Sequence, residues 1–460
     1  LTVIFQADNI EIFDGASSKY VSEMNKKLMR FDFMALVAGN VDFFQTPVLN
    51  ELERNKYNEF NKKFIKVLRY SATNLGNAPG DTTLGLEHAF ENIYYLLKSS
   101  IDFSKTNKFK NEPVVCVASG PSLDKNIDVL KKHQDKVNIF SAGTSLHKLV
   151  NYGIEPDVFS VLERPEKVYK YTVKDLMEED KYPENTIAFL DGVVHPKIFN
   201  AAKPNLISVF RNTVPTENWF VKNIDHLVGL NTGLSVANLN FMIAYLLGFD
   251  PIILIGQDLS FSPQGDQHAQ GTIYDKLGDK DIEKKDLVEV EGYNGEKLPA
   301  RKIWQTFKHW FESEIKEKNI HCIDATEGGA YIEGTEIMPL QDVANKYFVD
   351  EKPYIKDIIN FHKQEYIKNN ALKLKEKIDL KLENLSAIEK RIEYIISKLR
   401  LIKNLTNLDK KLKIINKDFI VEKYQSLNRE ISFLMFMDTS FYFICQAPFV
   451  ELERNKVRKG

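Results

Sequence analysis

The chain has 460 residues, 43% of them hydrophobic, and a formal net charge of −2. That length suffices for two or three domains with a large core, and the near-neutral balance excludes a global attraction to nucleic acid. No apolar run reaches the roughly 18 residues of a membrane span and no signal peptide opens the sequence, so a soluble cytoplasmic protein is expected.

Residues 1–112 are expected to form a separate N-terminal domain, mostly helical or α/β. Tyr20–Phe33 contains helical apolar spacing, and Asn77-Ala78-Pro79-Gly80 reads as a loop. Asp81 or Thr82 would cap a helix whose apolar face includes Leu86, Phe90, Ile93 and Leu97. Nothing in this region suggests chemistry; it suits shaping of a partner or acceptor, or a homo-oligomer contact.

Residues 113–345 alternate short apolar runs with helical patterns, the signature of βαβ units around a parallel sheet. Strands are expected at Val114–Val117, Val137–Ala142, Val158–Leu162, Thr186–Leu190, Leu206–Val209, Ile252–Ile255 and His321–Ile323. Helical patterns fill Asp124–His133, Leu146–Tyr152, Leu234–Leu247 and Arg301–Lys318. The expected fold is α/β, doubly wound and Rossmann-like, with its ligand at the carboxyl ends of the strands. The first strand runs into Ala118-Ser119-Gly120-Pro121-Ser122, a small-residue turn before a helix. Such a turn aims backbone N–H groups at a phosphate, although it is neither GxGxxG nor GxxxxGK[ST]. The later strand ends are polar as well: Gly143-Thr144-Ser145, Glu163-Arg164-Pro165-Glu166, Asn231-Thr232-Gly233-Leu234-Ser235, Gly256-Gln257-Asp258-Leu259-Ser260 and Asp324–Ala330. Several such ends in one domain indicate the rim of an active site.

Residues 346–460 change character. Leu374, Ile378, Leu382, Leu385, Ile388, Ile392, Ile395, Leu399, Ile402 and Leu405 recur three or four apart, near the period of a coiled coil. With Asp418–Phe443 they predict a helical C-terminal domain. Its lysines alternate with glutamates, which suits a solvated face rather than nucleic-acid binding. The six residues Glu51–Lys56 recur at Glu451–Lys456, with no physical account. Cys116, Cys322 and Cys445 stand far apart in apolar runs, which predicts buried thiols rather than a zinc site or a nucleophile.

Taken together, Val115–Leu123, Ile139–Thr144, Gly153–Asp157, Glu163-Arg164, Asn231–Ser235, Gly256–Ser260 and Ala325–Ala330 resemble the Maf (motility-associated factor) flagellin glycosyltransferases. Their central domain is similar to bacterial sialyltransferases. The Gly-Pro-Ser turn, Thr-Ser-Gly helix start and Gly-Ile-Asp-Phe-Tyr strand end of those enzymes are matched here by Gly120-Pro121-Ser122, Asn231-Thr232-Gly233 and Gly256–Ser260. The resemblance implies transfer of a nonulosonic acid, pseudaminic or legionaminic, from its CMP-activated form to serine or threonine of flagellin, with no metal. It implies that Ser119, Gly120 and Ser122 meet the phosphate or sugar carboxylate. Gly143, Thr144 and Glu163 would line the pocket, and Asn231, Thr232, Gly233 and Ser235 would hold donor carboxylate and cytidine. Two departures stand out. Ser260 occupies a place where sialyltransferases have a phosphate-stabilising tyrosine, and no histidine falls between Val288 and Arg301.

Transfer to a hydroxyl needs a base and a stabilised leaving phosphate. Asp258 and His268 are the first candidates for base, as a pair across one loop; Asp258 is alternatively a cap for backbone N–H groups, and His268 an ordinary loop histidine. Glu163 and Glu327 are further carboxylates. Arg164 is an anion clamp or a plain salt-bridge partner, and His147 and His195 read as structural. Asp279-Lys280-Asp281 is formally the metal-binding DxD, but in a lysine-rich loop. Two other functions remain open: a pterin pyrophosphokinase using ATP and magnesium held by Asp258 and Glu163, and a non-enzymatic flagellar assembly factor.

Overall fold

A computed structural model describes residues 79–98, 103, 109–203, 205–212, 215–224, 227, 229–277 and 286–357, with helical pieces within 54–65 and 368–397. The chain divides into two units, Thr83–Lys377 and a second made of Leu1–Thr82 with Ile378–Gly460.

In chain order the elements run α1 (Pro79–Glu91), α2 (Ile93–Lys98), β1 (Val114–Val117), α3 (Leu123–Lys132), β2 (Asn138–Ala142), α4 (Leu146–Asn151) and β3 (Val158–Val161). Next come α5 (Glu166–Tyr169), a π turn at Lys170–Lys174, α6 (Asp175–Glu178), β4 (Ile187–Asp191), α7 (Pro196–Ala202), β5 (Leu206–Arg211), α8 (Pro215–Asn223) and β6 (Gly229–Leu230). The rest are α9 (Val236–Leu247), β7 (Ile252–Ile255), α10 (Tyr274–Leu277), β8 (Leu287–Glu291), β9 (Lys297–Arg301), α11 (Lys302–Lys318), β10 (Cys322–Asp324), β11 (Glu336–Ile337) and α12 (Leu340–Tyr347).

Nine strands form one parallel sheet in the order β11-β10-β7-β1-β2-β3-β4-β5-β6. The strands are apolar runs because both faces are covered. One face, with Val114, Cys116, Phe140, Val158, Ile252 and Leu254, packs against Leu239, Ile243 and Leu247 of α9 and against Phe311 and Ile315 of α11. The other, with Val115, Val117, Ile139, Ile253 and Ile255, packs against Leu123, Ile127 and Leu130 of α3 and Leu340 and Val343 of α12. From β1 the chain winds outward to β6, then returns through α9 to place β7 on the opposite side of β1. That reversal makes the gap between the carboxyl ends of β1 and β7 the switch point of the sheet, where a crevice opens.

All seven expected strands are present, with ends displaced by at most two residues. The antiparallel hairpin β8–β9 was not expected: its strands alternate exposed charges with few buried residues and include Pro299, so they lack the apolar run of the central strands. Also unexpected are the short edge strands β6 and β11 and the helical stretch Glu166–Glu178. Cys116 and Cys322 are buried free thiols, and burial raises both. Among the described residues no helix is long and apolar enough to cross a membrane.

Residues 368–380 are helical, with Leu374 buried. In the second unit, Phe60 and Phe64 stack within a helical stretch, ring centroids 6.0 Å apart. Several expectations fall outside the described residues: the Tyr20–Phe33 helix, the Asn77-Ala78 half of the loop (its Pro79-Gly80 half is instead the first turn of α1), the apolar seam from Leu385 onward and Asp418–Phe443. So do Asp279-Lys280-Asp281, Cys445 and all of the Glu451–Lys456 repeat.

Candidate functional site

At the switch point the turns after β1 and β7 are laced together. Gly120 N–H donates to the Gly256 carbonyl (2.8 Å) and Ala118 N–H to the Ile255 carbonyl (3.0 Å). The approach is close enough to require glycine: a Cβ on Gly120 would lie 2.0 Å from Asp258 Oδ2 and 2.6 Å from the Gly256 oxygen. Gly256 itself has φ +62° and packs against the Ala118 carbonyl, a conformation that favours glycine. Asp258 completes the lacing. Its Oδ2 accepts from Ser122 Oγ (2.7 Å) and its Oδ1 from Ser122 N–H (3.1 Å).

Above these turns lies a cavity of about 210 Å³. Ser119, Gly120, Thr144, Glu163, Ser235, Gln257, Asp258, Ser260 and His268 all contribute to its lining, together with Leu234, Val236, Ala237, Gln267, Tyr274, Trp304 and Phe307. Thus residues from five separate connections converge. Thr144 Oγ1 donates to Ser119 Oγ at 3.2 Å, joining the ends of β1 and β2. Ser235 caps α9, its Oγ accepting from Asn238 N–H at 3.1 Å. Trp304, Tyr274 and Phe307 give the cavity an aromatic side.

The titratable groups fall into distinct environments. Burial raises the Asp258 carboxyl to about 6 against the pull of Ser122. Asp324, at the end of β10, is likewise raised to about 6 by burial, with the Asp258 charge adding to the effect; one of its oxygens accepts from Thr326 N–H at 3.0 Å. Glu163 keeps surface open to the cavity, yet protein around it excludes bulk water and raises its carboxyl, opposed by the Leu162 N–H and by the charges of Arg211 and Arg164. His268 lies flat against Tyr274, ring centroids 3.4 Å apart, and burial with the Arg301 charge lowers its imidazole to about 4. It is therefore neutral at physiological pH. No hydrogen bond joins Asp258 to His268, so the structure does not make the carboxylate–imidazole pair anticipated from sequence; Ser122 takes the carboxylate and Tyr274 the ring.

Other expected site residues stand behind the cavity. Arg164 is buried, its Nη2 3.5 Å from Glu217 Oε1, and Gly85 of α1 packs against its guanidinium. Glu217 also binds Arg211 (2.5 Å), which pairs with Asp191 at 2.8 Å. Burial and the Glu217 charge raise Asp191 to about 7. This buried ion cluster at the ends of β4 and β5 went unnoticed in the sequence because its members are spread over 53 positions, from Arg164 to Glu217, with no shared motif. Asn231 Nδ2 donates to Glu314 of α11 (2.6 Å), and Gly233, φ +60°, abuts Asn238 and Trp310. Thr232 is fully buried. These three hold the start of α9 against α11, and Ser235 alone of that stretch's predicted residues reaches the lining. Glu327 Oε1 accepts from Asn126 (2.9 Å) and from Leu340 N–H (3.1 Å), which fixes α3 and α12 rather than facing the cavity. Pro121, Ser122 and Gly143 do not line the cavity; Ser122 holds Asp258, and Gly143 N–H donates to the Ser160 carbonyl at 2.9 Å. His195 caps α7 through Lys197 N–H, and His147 is buried; both are structural, as expected.

Residues 87–264 match the family model described as MptE-like 6-hydroxymethylpterin diphosphokinase. No curated protein gives a match. Among solved structures, a Maf glycosyltransferase from Magnetospirillum magneticum AMB-1 superimposes with a TM-score of 0.54 at 16% identity, over 95% of this chain and 67% of that one. The chain thus shares the Maf-type fold, in agreement with the resemblance read from the strand ends, and its residues 87–264 are similar to the MptE-like family.

Proposed function

We propose that the protein is a glycosyltransferase that moves a nonulosonic acid from a CMP-activated donor to serine or threonine of flagellin. The observation that carries this reading is the cavity at the β1/β7 switch point. It combines a small-residue turn for an anionic donor, an aromatic side for a base or sugar ring, and one raised carboxylate, Glu163, open to the reacting volume. The fold shared with a Maf glycosyltransferase supports it. In the reaction the acceptor oxygen attacks the anomeric carbon. The bond from that carbon to the phosphate oxygen breaks and its electron pair leaves with CMP, while the hydroxyl proton passes to Glu163. Glu163 suits this role better than Asp258, whose two oxygens Ser122 already engages, and better than His268, too weakly basic at about 4.

The family-model match favours a second reading, a pterin pyrophosphokinase using ATP and magnesium. The capture of Asp258 by Ser122 counts against it, since that carboxylate was to be one of the metal ligands. The test is ligand-induced thermal stabilisation. CMP should raise the unfolding midpoint with or without chelator, and Glu163→Gln should keep that shift while losing transfer from CMP-nonulosonate to flagellin. A shift with ATP and magnesium but none with CMP would establish the pyrophosphokinase instead.

A further inference from the structure

The leaving phosphate of such a transfer gathers negative charge and needs a cation or strong donor beside it. The arginines near Glu163 are committed elsewhere: Arg164 and Arg211 share Glu217, and Arg211 also holds Asp191. Lys125, beside the β1 turn, donates to the Glu327 carbonyl. Arg301 is different. It ends β9, in the hairpin that the sequence did not announce, and immediately precedes α11. Its guanidinium lies over the Trp304 ring at 5.6 Å, and its Nη1 makes one long hydrogen bond, 3.5 Å, to Gln267 Oε1. Trp304, Gln267 and their neighbour His268 all line the cavity. No carboxylate among the described residues pairs with Arg301, which is half-buried. A guanidinium has five N–H donors in a fork that fits two phosphate oxygens; here most of that capacity is unspent, directly behind Gln267 and Trp304, which line the cavity where Arg301 itself does not.

We propose that Arg301 binds the phosphate of the nucleotide donor and stabilises it as the leaving group. The inference rests on the nucleotide-sugar reading above. Burial, with the Arg301 charge adding to it, keeps the neighbouring His268 unprotonated, so Arg301 is the fixed cation there.

The test compares CMP with cytidine, which lacks the phosphate, by titration calorimetry on wild type, Arg301→Ala and Arg301→Lys. Wild type should bind CMP more tightly than cytidine by about tenfold to a hundredfold, the range of a charge-assisted contact. In Arg301→Ala that ratio should fall close to one with cytidine affinity unchanged, and Arg301→Lys should fall between. An unchanged CMP-to-cytidine ratio in Arg301→Ala would overturn the assignment while leaving the function standing. Equal loss of both ligands would also overturn it, making Arg301 a prop for Trp304 and Gln267. Wild type that binds neither ligand would remove both this inference and the reading beneath it.

Discussion

Asp258→Asn separates the structural part of the site from its electrostatics. The native carboxylate is only 6% exposed, and burial lifts its carboxyl from the ordinary 3.8 to about 6. Between those two values the folded protein holds a proton that the unfolded chain releases, so stability falls as pH rises through this window. At about 1.4 kcal/mol per unit, ionised Asp258 makes the fold about 3 kcal/mol less stable at neutral pH than at about pH 3 and below. Asparagine cannot titrate and keeps the shape, with one oxygen to accept from Ser122. Losing the charge weakens the two Ser122 contacts by about 1–2 kcal/mol in total. It also removes the repulsion that helps raise Asp324, which should titrate lower in the variant. The net expectation at neutral pH is a fold as stable as wild type or more so. The decisive quantity is the gain on moving from about pH 7.5 to about pH 5, read from denaturant midpoints. Wild type should gain, and Asp258→Asn should lose the share due to Asp258, about 1.4 kcal/mol, while keeping the parts due to Asp191 and Asp324. Equal gains in the two proteins would refute the reasoning, because Asp258 would then titrate as an ordinary carboxylate.

Two further substitutions address the scaffold of the site. Gly120→Ala would set a methyl 2.0 Å from Asp258 Oδ2 and 2.6 Å from the Gly256 oxygen. It should cost about 1–3 kcal/mol and separate the β1 and β7 turns; the CMP-induced thermal shift should vanish while circular dichroism stays native, and a retained shift would show that the lacing is irrelevant to the ligand. Arg211→Met would leave Asp191 and Glu217 buried without their shared cation, a loss of about 3–5 kcal/mol at neutral pH. Asp191, already raised to about 7, would then favour its protonated form further, so the loss should shrink as pH falls towards about 5. Addition of Asp191→Asn should also restore part of the stability; unchanged midpoints in the single variant would mean the cluster is electrostatically idle.

The parallel sheet was legible because burial on both faces turns each central strand into an apolar run, and the chain shows these as Val114–Val117, Val158–Val161 and Ile252–Ile255. The hairpin β8–β9 was not, because one of its sides is solvated and its charges hide the alternation. It matters functionally, since it delivers Arg301. Likewise the polar strand ends announced a rim but could not say which residues face inward. Arg164 and Glu163 are adjacent, yet one is sealed behind Glu217 and the other opens on the cavity. Glu327 looked like a spare carboxylate and instead fixes two helix starts.

Local pattern, acting over a few residues, determined by itself that this chain makes a Rossmann-like sheet with small, polar turns at the strand ends. Which of those turns meet, and which charges end up paired, depended on the return of β7 to the far side of β1. That crossing brings Gly120 and Asp258, 138 positions apart, into contact. Contacts of that separation are set by packing and exclusion of water across the whole sheet, which no short stretch of sequence contains.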